Sequence, residues 1–206
     1  MGDRGYLVVK RGGDLAAASV GLVVAAPVLA VIAVAVRRSM GPPVLFRQQR
    51  AGRDAVPFAL LKIRTMRDSL PDEELFTSDE ARLTPLGRRL RAWSLDELPQ
   101  LVNVLRGEMS LVGPRPLPTA YVDRYSPEQR RRLGATPGIT GWAQVNGRNA
   151  VDWEERLQLD VWYVDHVSLA LDLRILWRTV RQVLSGHGVS AEGHATMPEF
   201  RGSNGA

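Results

Sequence analysis

Cysteine is absent from the 206-residue chain. Disulfides and cysteine-ligated metal centres are therefore excluded. Histidine occurs three times, as His166, His187 and His194, with none of the spacing of a histidine zinc site. Lysine is almost missing: Lys10 and Lys62 stand among 27 basic residues, so the rest are arginine. There is no internal repeat and no low-complexity tract. The net charge is +5. Arginine grips phosphate with a planar fork, which suits a nucleotide, a lipid phosphate or a nucleic acid. Arginine-rich codon usage would leave the same bias, so charge alone names no partner. The length suits one domain with a possible appendage.

One long apolar run is present. Residues 15–36, LAAASVGLVVAAPVLAVIAVAV, hold 22 residues without a charge. As a straight helix they would reach about 33 Å, enough to span a bilayer. Lys10 and Arg11 precede the run and Arg37 and Arg38 follow it, so the positive-inside rule favours neither orientation. Pro27 lies near the middle and cannot donate a hydrogen bond to the carbonyl of Val23. The twelve residues before it give about 18 Å of helix, roughly the depth of the bilayer midplane. Two topologies follow. A helix that breaks at Ala26-Pro27 and returns would be a re-entrant anchor over residues 1–40, with both basic flanks and residues 41–206 at the cytoplasmic face. A kinked single-pass helix is the other.

Beyond the anchor, residues 43–49 and 56–63 read as short strands around Ala51-Gly52-Arg53-Asp54. Residues 68–82 read as a polar loop with some helix. Thr84-Pro85 opens a helix, and a second covers 98–106 with Leu98, Leu101, Val102 and Leu105 on one face. Helix is expected again after Ser126-Pro127. Residues 136–149, TPGITGWAQVNGRN, read as a glycine-punctuated loop. Residues 151–166 and 171–184 are amphipathic helical patterns. They carry Trp153, Trp162, Tyr163 and Trp177, and the second sets Leu173, Leu176, Val180, Val183 and Leu184 against Arg174, Arg178 and Arg181. Such helices lie on a membrane interface or cover a core, and the pattern fits both. The fold class is α/β: mostly helical, with a small β-hairpin sheet, an apolar N-terminal helix and amphipathic interfacial helices.

The densest chemistry is SLDELPQLVNVLRGEMSLVGPRP, residues 94–116. Asp96 and Glu97 are neighbours, and helical neighbours do not share a face. They therefore suit a nucleophile or metal ligand with a helper better than an acid and base acting across one substrate. Pro99 favours a helix start beside them, where free N–H groups attract anions. Ser94-Leu95-Asp96-Glu97 also matches a capping box, which would need Ser94 and Glu97 only. Arg115, between prolines, is held ready either as a phosphate clamp or in a rigid surface turn. Arg148, in Asn146-Gly147-Arg148-Asn149, admits the same two readings. Lys62, at a strand end, is either a specific cation or a charge guarding a strand edge.

Together these residues resemble the small monotopic phosphoglycosyl transferases, the bacterial sugar transferase family that begins lipid-linked glycan assembly. The likeness runs from the apolar segment through LLKIRTM, the Asp-Glu and Pro-Arg-Pro motifs, PGITGWAQVNGRN and LDVWYVDHVSLALDLRIL to the tail SGHGVSAEGH. The tail and short length look most like the bacillosamine-phosphate transferases of protein N-glycosylation. The family's best-known anchors break at Ser-Pro, where this chain has Ala26-Pro27.

The resemblance implies ping-pong transfer of a phosphosugar from a UDP-sugar to polyprenyl phosphate, through a covalent Asp96 intermediate with release of UMP. It implies Glu97 as helper and Mg²⁺ at Asp96 and Glu97. Lys62, Arg91, Arg115 and Arg148 would bind phosphate or nucleotide, and Asp172 occupies a further family position grouped with them. It implies the cytoplasmic face of a bacterial inner membrane, phospholipid as a partner and no nucleic acid, with a homodimer left open. A diacetamido sugar, an N-acetylhexosamine or a hexose would fit as cargo. The rival classes are a membrane-anchored nucleic-acid binder, suggested by charge though without a basic-aromatic reader motif, and a non-catalytic scaffold.

Overall fold

The computed structural model describes residues 4–68, 79–146, 152–185 and 199–202. Helix α1 spans Arg4–Met40. It runs on through Pro27, so the break expected there does not interrupt the helix. A proline removes one hydrogen bond and keeps a helical φ. The helix is also held on both sides of that position. Before it, Ala18 packs with Phe58, Leu60, Val104 and Met109. After it, Ile32 and Val36 pack with Ile63 and Leu90. Each such aliphatic side chain contributes about 1.5–3 kcal/mol when fully buried.

Strands β1 (Leu45–Ala51) and β2 (Pro57–Ile63) form the expected antiparallel hairpin, with Leu45 opposite Ile63. Its turn closes through the Gly52 N–H donating to the Val56 carbonyl at 2.8 Å. Next come α2 (Asp79–Arg82) and α3 (Pro85–Ala92). Thr84 caps α3 by accepting from the Gly87 N–H at 3.0 Å, with Pro85 in the first turn. Helix α4 (Gln100–Arg106) ends at Gly107, whose φ of 83° is the left-handed cap that glycine adopts without strain.

Strand β3 (Ser110–Val112) pairs in parallel with β4 (Gly138–Thr140), and α5 (Pro127–Arg130) lies between them in sequence. The described part of the segment expected to be a loop at 136–149 is therefore strand and then helix, since α6 covers Trp142–Asn146. Three-residue strands carry too little alternation to be read locally, and pairing with β3 supplies what propensity does not. A Cβ at Gly138 would stand 2.0 Å from the Gly113 nitrogen. Glycine is required there because the two backbones touch.

Helices α7 (Trp153–His166) and α8 (Leu169–Leu184) complete the fold, capped by Asp152 and Ser168. On α8, Leu171 and Ile175 face the core while Leu169, Leu173, Trp177, Val180 and Leu184 are exposed. Tyr163, expected among the interfacial aromatics, is buried. The tail motif at 185–194 lies almost wholly outside the described residues.

Glycine packing gives a sharp contrast. A Cβ on Gly87 would meet the Thr65 carbonyl oxygen at 2.0 Å, whereas one on Gly12 would meet nothing within 4 Å. Gly87→Ala is expected to cost about 2–3 kcal/mol through backbone displacement. Gly12→Ala, inside a helix, is expected to gain about 1 kcal/mol. Thermal unfolding of both variants in one detergent checks this pair.

Candidate active site

Three segments distant in sequence converge on one ion cluster. Lys62 projects from β2, Asp96 and Glu97 sit in a 3₁₀ turn at Leu95–Glu97, and Arg115 lies in the turn after β3. The Lys62 ammonium donates to Glu97 Oε1 at 2.7 Å, and the Arg115 guanidinium donates to the same oxygen at 2.8 Å. Asp96 Oδ2 lies 3.9 Å from Lys62 Nζ. Asp96 is only 5% exposed.

The capping-box reading does not hold. Ser94 adopts φ 53°, ψ 22° and makes no side-chain cap bond, and Glu97 is taken by the two cations. A non-glycine residue in the left-handed region carries strain. Here it turns the chain out of α3, so that the following 3₁₀ turn delivers Asp96 inward. Pro99 caps α4 rather than beginning it.

The two carboxylates are held in different electrostatic states. Burial pushes the Asp96 carboxyl up and Glu97 adds to this, while Lys62, Arg91 and Arg115 oppose it. Burial would also raise Glu97, but the charges and hydrogen bonds of Arg115 and Lys62 outweigh it and hold the carboxyl below the usual range. Glu97 is therefore a fixed anion that positions two cations. Asp96 is a desolvated carboxylate with no direct hydrogen bond to Lys62. Arg91 stands behind it, donating from Nε to Thr65 Oγ1 at 3.1 Å.

The supporting groups give no local sequence signal. Asn103, fully buried, accepts from the Leu61 N–H at 3.1 Å and donates to the Ala59 carbonyl at 2.8 Å, fastening α4 to the strand that carries Lys62. Arg132 donates to the Arg115 carbonyl at 2.6 Å and is paired with Asp160 at 2.7 Å. The Gly113 N–H donates to the Thr140 carbonyl at 2.9 Å, so the Arg115 turn is clamped to β4. Arg132 and Asp160 look like ordinary surface charges of amphipathic segments until α7 folds over the turn.

Asp172 is held by partners outside the ion cluster. Its Oδ2 accepts from Tyr6 at 2.6 Å and Lys10 at 2.5 Å, and its Oδ1 accepts from Tyr163 at 2.7 Å. It clasps α1 to α7 and α8, and none of the site residues is among these partners. Asp14 does the same for β3, accepting from Ser110 Oγ at 2.7 Å and the Leu111 N–H at 3.2 Å. Lys10 and Arg11, read as flanking charges, are docking groups: Arg11 donates to the Val104 carbonyl at 2.7 Å. Arg148 lies outside the described residues.

No group of three metal-binding side chains occurs among the described residues. Mg²⁺ commonly uses one or two carboxylates and takes its remaining ligands from phosphate and water. The pair Asp96 and Glu97 fits that donor set, with Asp96 the less committed of the two.

Loss of the Asp172 clasp should leave chemistry intact and loosen α1. Asp172→Asn strands buried partners, and a loss of about 3 kcal/mol is expected. Limited proteolysis and melting should register it, with donor KM unchanged. A raised KM at unaltered stability would instead make Asp172 a substrate ligand.

Comparison with known proteins places the chain in a family. A family model described as Bacterial sugar transferase matches residues 5–186. The chain is 48% identical over 197 residues to the sugar transferase EpsL of Bacillus subtilis, covering 96% of this chain and 98% of that one. It is 46% identical over 186 residues to the UDP-glucose:undecaprenyl-phosphate glucose-1-phosphate transferase of Caulobacter vibrioides, covering 85% and 70% respectively. It is 37% identical over 205 residues to the undecaprenyl-phosphate galactose phosphotransferase of Salmonella typhimurium, covering 91% of this chain and 43% of that longer protein.

Proposed function

The chain belongs to the bacterial sugar transferase family as a phosphoglycosyl transferase, and on that premise we propose that it moves a phosphosugar from a UDP-sugar to polyprenyl phosphate through a covalent Asp96 intermediate. The observation that carries this reading is the division of labour between the two carboxylates. Glu97 gives one oxygen, Oε1, to both Lys62 and Arg115. Asp96 is buried beside that pair without a direct hydrogen bond to Lys62.

In the first half-reaction an Asp96 oxygen attacks the β-phosphorus of the donor. The new bond is Asp96 O–P, and the bond that breaks joins that phosphorus to the bridging oxygen. The electron pair leaves with UMP. In the second half, a phosphate oxygen of the polyprenyl acceptor attacks the same phosphorus. The Asp96 O–P bond breaks, the carboxylate is restored and a polyprenyl-diphosphate sugar results. A carboxylate is a competent nucleophile toward phosphorus.

Most of the barrier in such transfers is met by positioning and neutralised charge. Lys62, Arg115 and Arg91 supply the charge, and Glu97 keeps the first two in place. Bound Mg²⁺, held by Asp96 and Glu97, would neutralise further charge on the diphosphate. Arg148 is assigned to the same task from its motif.

Membrane placement rests on α1. The helix is long and apolar enough to cross a bilayer, and the most apolar window is only 17% buried. Its exposed face carries Val20, Val23, Val24, Val28, Val31 and Val34. Yet Asp14 and Ala18 on one side of Pro27, and Ile32 and Val36 on the other, touch the same domain. One domain cannot touch both ends of a helix that crosses the bilayer. This supports an anchor with both flanks on one side of the membrane, which in the proposed reaction is the cytoplasmic side, where the UDP-sugar is. The exposed apolar stripe of α8 would then lie at the lipid boundary.

Two measurements test the proposal. Asp96→Asn should lower UMP release from labelled UDP-sugar by at least about a thousandfold, the scale of losing a covalent nucleophile. Unchanged release would reject the mechanism. For topology, the chain offers a cysteine-free background. Single cysteines at Gly12 and Arg38 should both label from the cytoplasmic side of membrane vesicles, and labelling from opposite sides would reject the anchor.

A further inference from the structure

Pro114 and Pro116, on either side of Arg115, carry no N–H groups. The turn is therefore fixed largely through its carbonyls. The Pro114 carbonyl accepts from the Gly138 N–H at 3.0 Å, and the Leu117 carbonyl accepts from the Ala51 N–H at 2.9 Å. Both donors are backbone groups of strand residues. The Arg115 carbonyl differs, because its donor is a side chain: Arg132 Nη2, at 2.6 Å.

Arg132 lies in a 3₁₀ turn at Arg131–Gly134. All three nitrogens of its guanidinium are engaged. Nε and Nη2 donate to Asp160 Oδ2 at 3.0 and 2.7 Å, and Nη1 donates to the Tyr125 hydroxyl at 3.3 Å. The Arg132 and Asp160 side chains are each 2% exposed, the most deeply buried ion pair among the described residues. Such a pair gains little stability over apolar residues of the same volume, so stability alone does not account for it. An apolar pair would leave the Arg115 carbonyl without its donor. At the far end of the same residue, the Arg115 side chain is 32% exposed and donates to Glu97, the neighbour of Asp96. One end of Arg115 is thus locked to the interior while the other is presented to the site.

We propose that Arg132 and Asp160 are positioning residues for phosphosugar transfer: the buried pair holds the Arg115 carbonyl, and through it sets where the Arg115 guanidinium meets phosphate. This rests on the transfer reading, in which Arg115 supplies charge to the phosphoryl group. Asp160, on α7, orients Arg132, and Arg132 carries that orientation to the turn. Both act through Arg115 and not on the reacting atoms. Charge placed before the substrate arrives needs no rearrangement during reaction. A displacement of about 1 Å lowers the rate by up to about a hundredfold.

A cycle of variants, made in the full chain in detergent, tests it. Arg132→Met with Asp160→Leu removes the pair as a unit, so that no buried charge is left unpaired. UMP release at saturating UDP-sugar should fall about ten- to a hundredfold. Arg132→Lys, which keeps a cationic donor, should recover part of that loss. The same exchange in an Arg115→Gln background should cause little further loss, because the effect runs through Arg115.

Losses that multiply in the combined variant would overturn the proposal, as would a pair-exchanged enzyme of wild-type rate. Where the pair exchange does not fold, Asp160→Asn takes its place, since it keeps the shape of the side chain and removes only the anion. The same two outcomes then decide. A wild-type enzyme that releases no UMP would sink the transfer reading instead. Backbone hydrogen exchange across residues 110–118 would still report on the hold. It should quicken in the pair-exchanged chain while exchange in α3 stays as in the wild type, and unchanged exchange would refute the hold on the turn.

Discussion

Glu97 shares one carboxylate oxygen between Lys62 and Arg115, and the site is organised around that sharing. Two cations and one anion, drawn from a strand, a 3₁₀ turn and a proline-bounded turn, meet at partly buried positions. Removing charges from water is costly, and the cost is offset only when every member is paired. Without Glu97, Lys62 would be left with Asp96, 3.9 Å away, as its carboxylate partner. With it, Asp96 keeps its oxygens for an incoming group. The helper is thus a positioning anion, and the adjacency of the two carboxylates matters because a 3₁₀ turn sends them to different partners.

The frame around this cluster is held by backbone proximity as much as by apolar packing. Gly113 and Gly138 let two strands touch where any side chain would collide. That contact ties the Arg115 turn to β4, and Arg132 fixes the turn from the other side. Helix α1 belongs to the same frame. Its polar residues Tyr6, Lys10, Arg11 and Asp14 dock onto the domain, while its valine face stays uncovered. In the proposed reaction this geometry brings an apolar acceptor's phosphate and a soluble nucleotide to one pocket of charge at the lipid surface.

Motif residues and long periodic segments were legible in the sequence. The hairpin, α3, α4, α7 and α8 follow from alternation, helical spacing and capping residues. Lys62, Asp96, Glu97 and Arg115 were legible as unusual residue types in rigid settings, and the fold brings them together. Illegible features depend on contacts between distant segments. Strand β4 is three residues long and exists through β3. Ser94 matches a cap by pattern, yet takes a left-handed conformation that only the surrounding packing selects. Asp172 carries no local mark separating a clasp from a ligand, because its partners Tyr6 and Lys10 are more than 160 residues away.

The central claim is that Asp96 forms a bond to phosphorus. Intact-mass analysis of the full-length protein, incubated with UDP-sugar while acceptor is withheld and then digested, reads this directly. The account predicts a mass gain of one sugar phosphate, located at Asp96 and lost when polyprenyl phosphate is supplied. Release of UMP with no adduct on the protein, or an adduct on another residue, would contradict it.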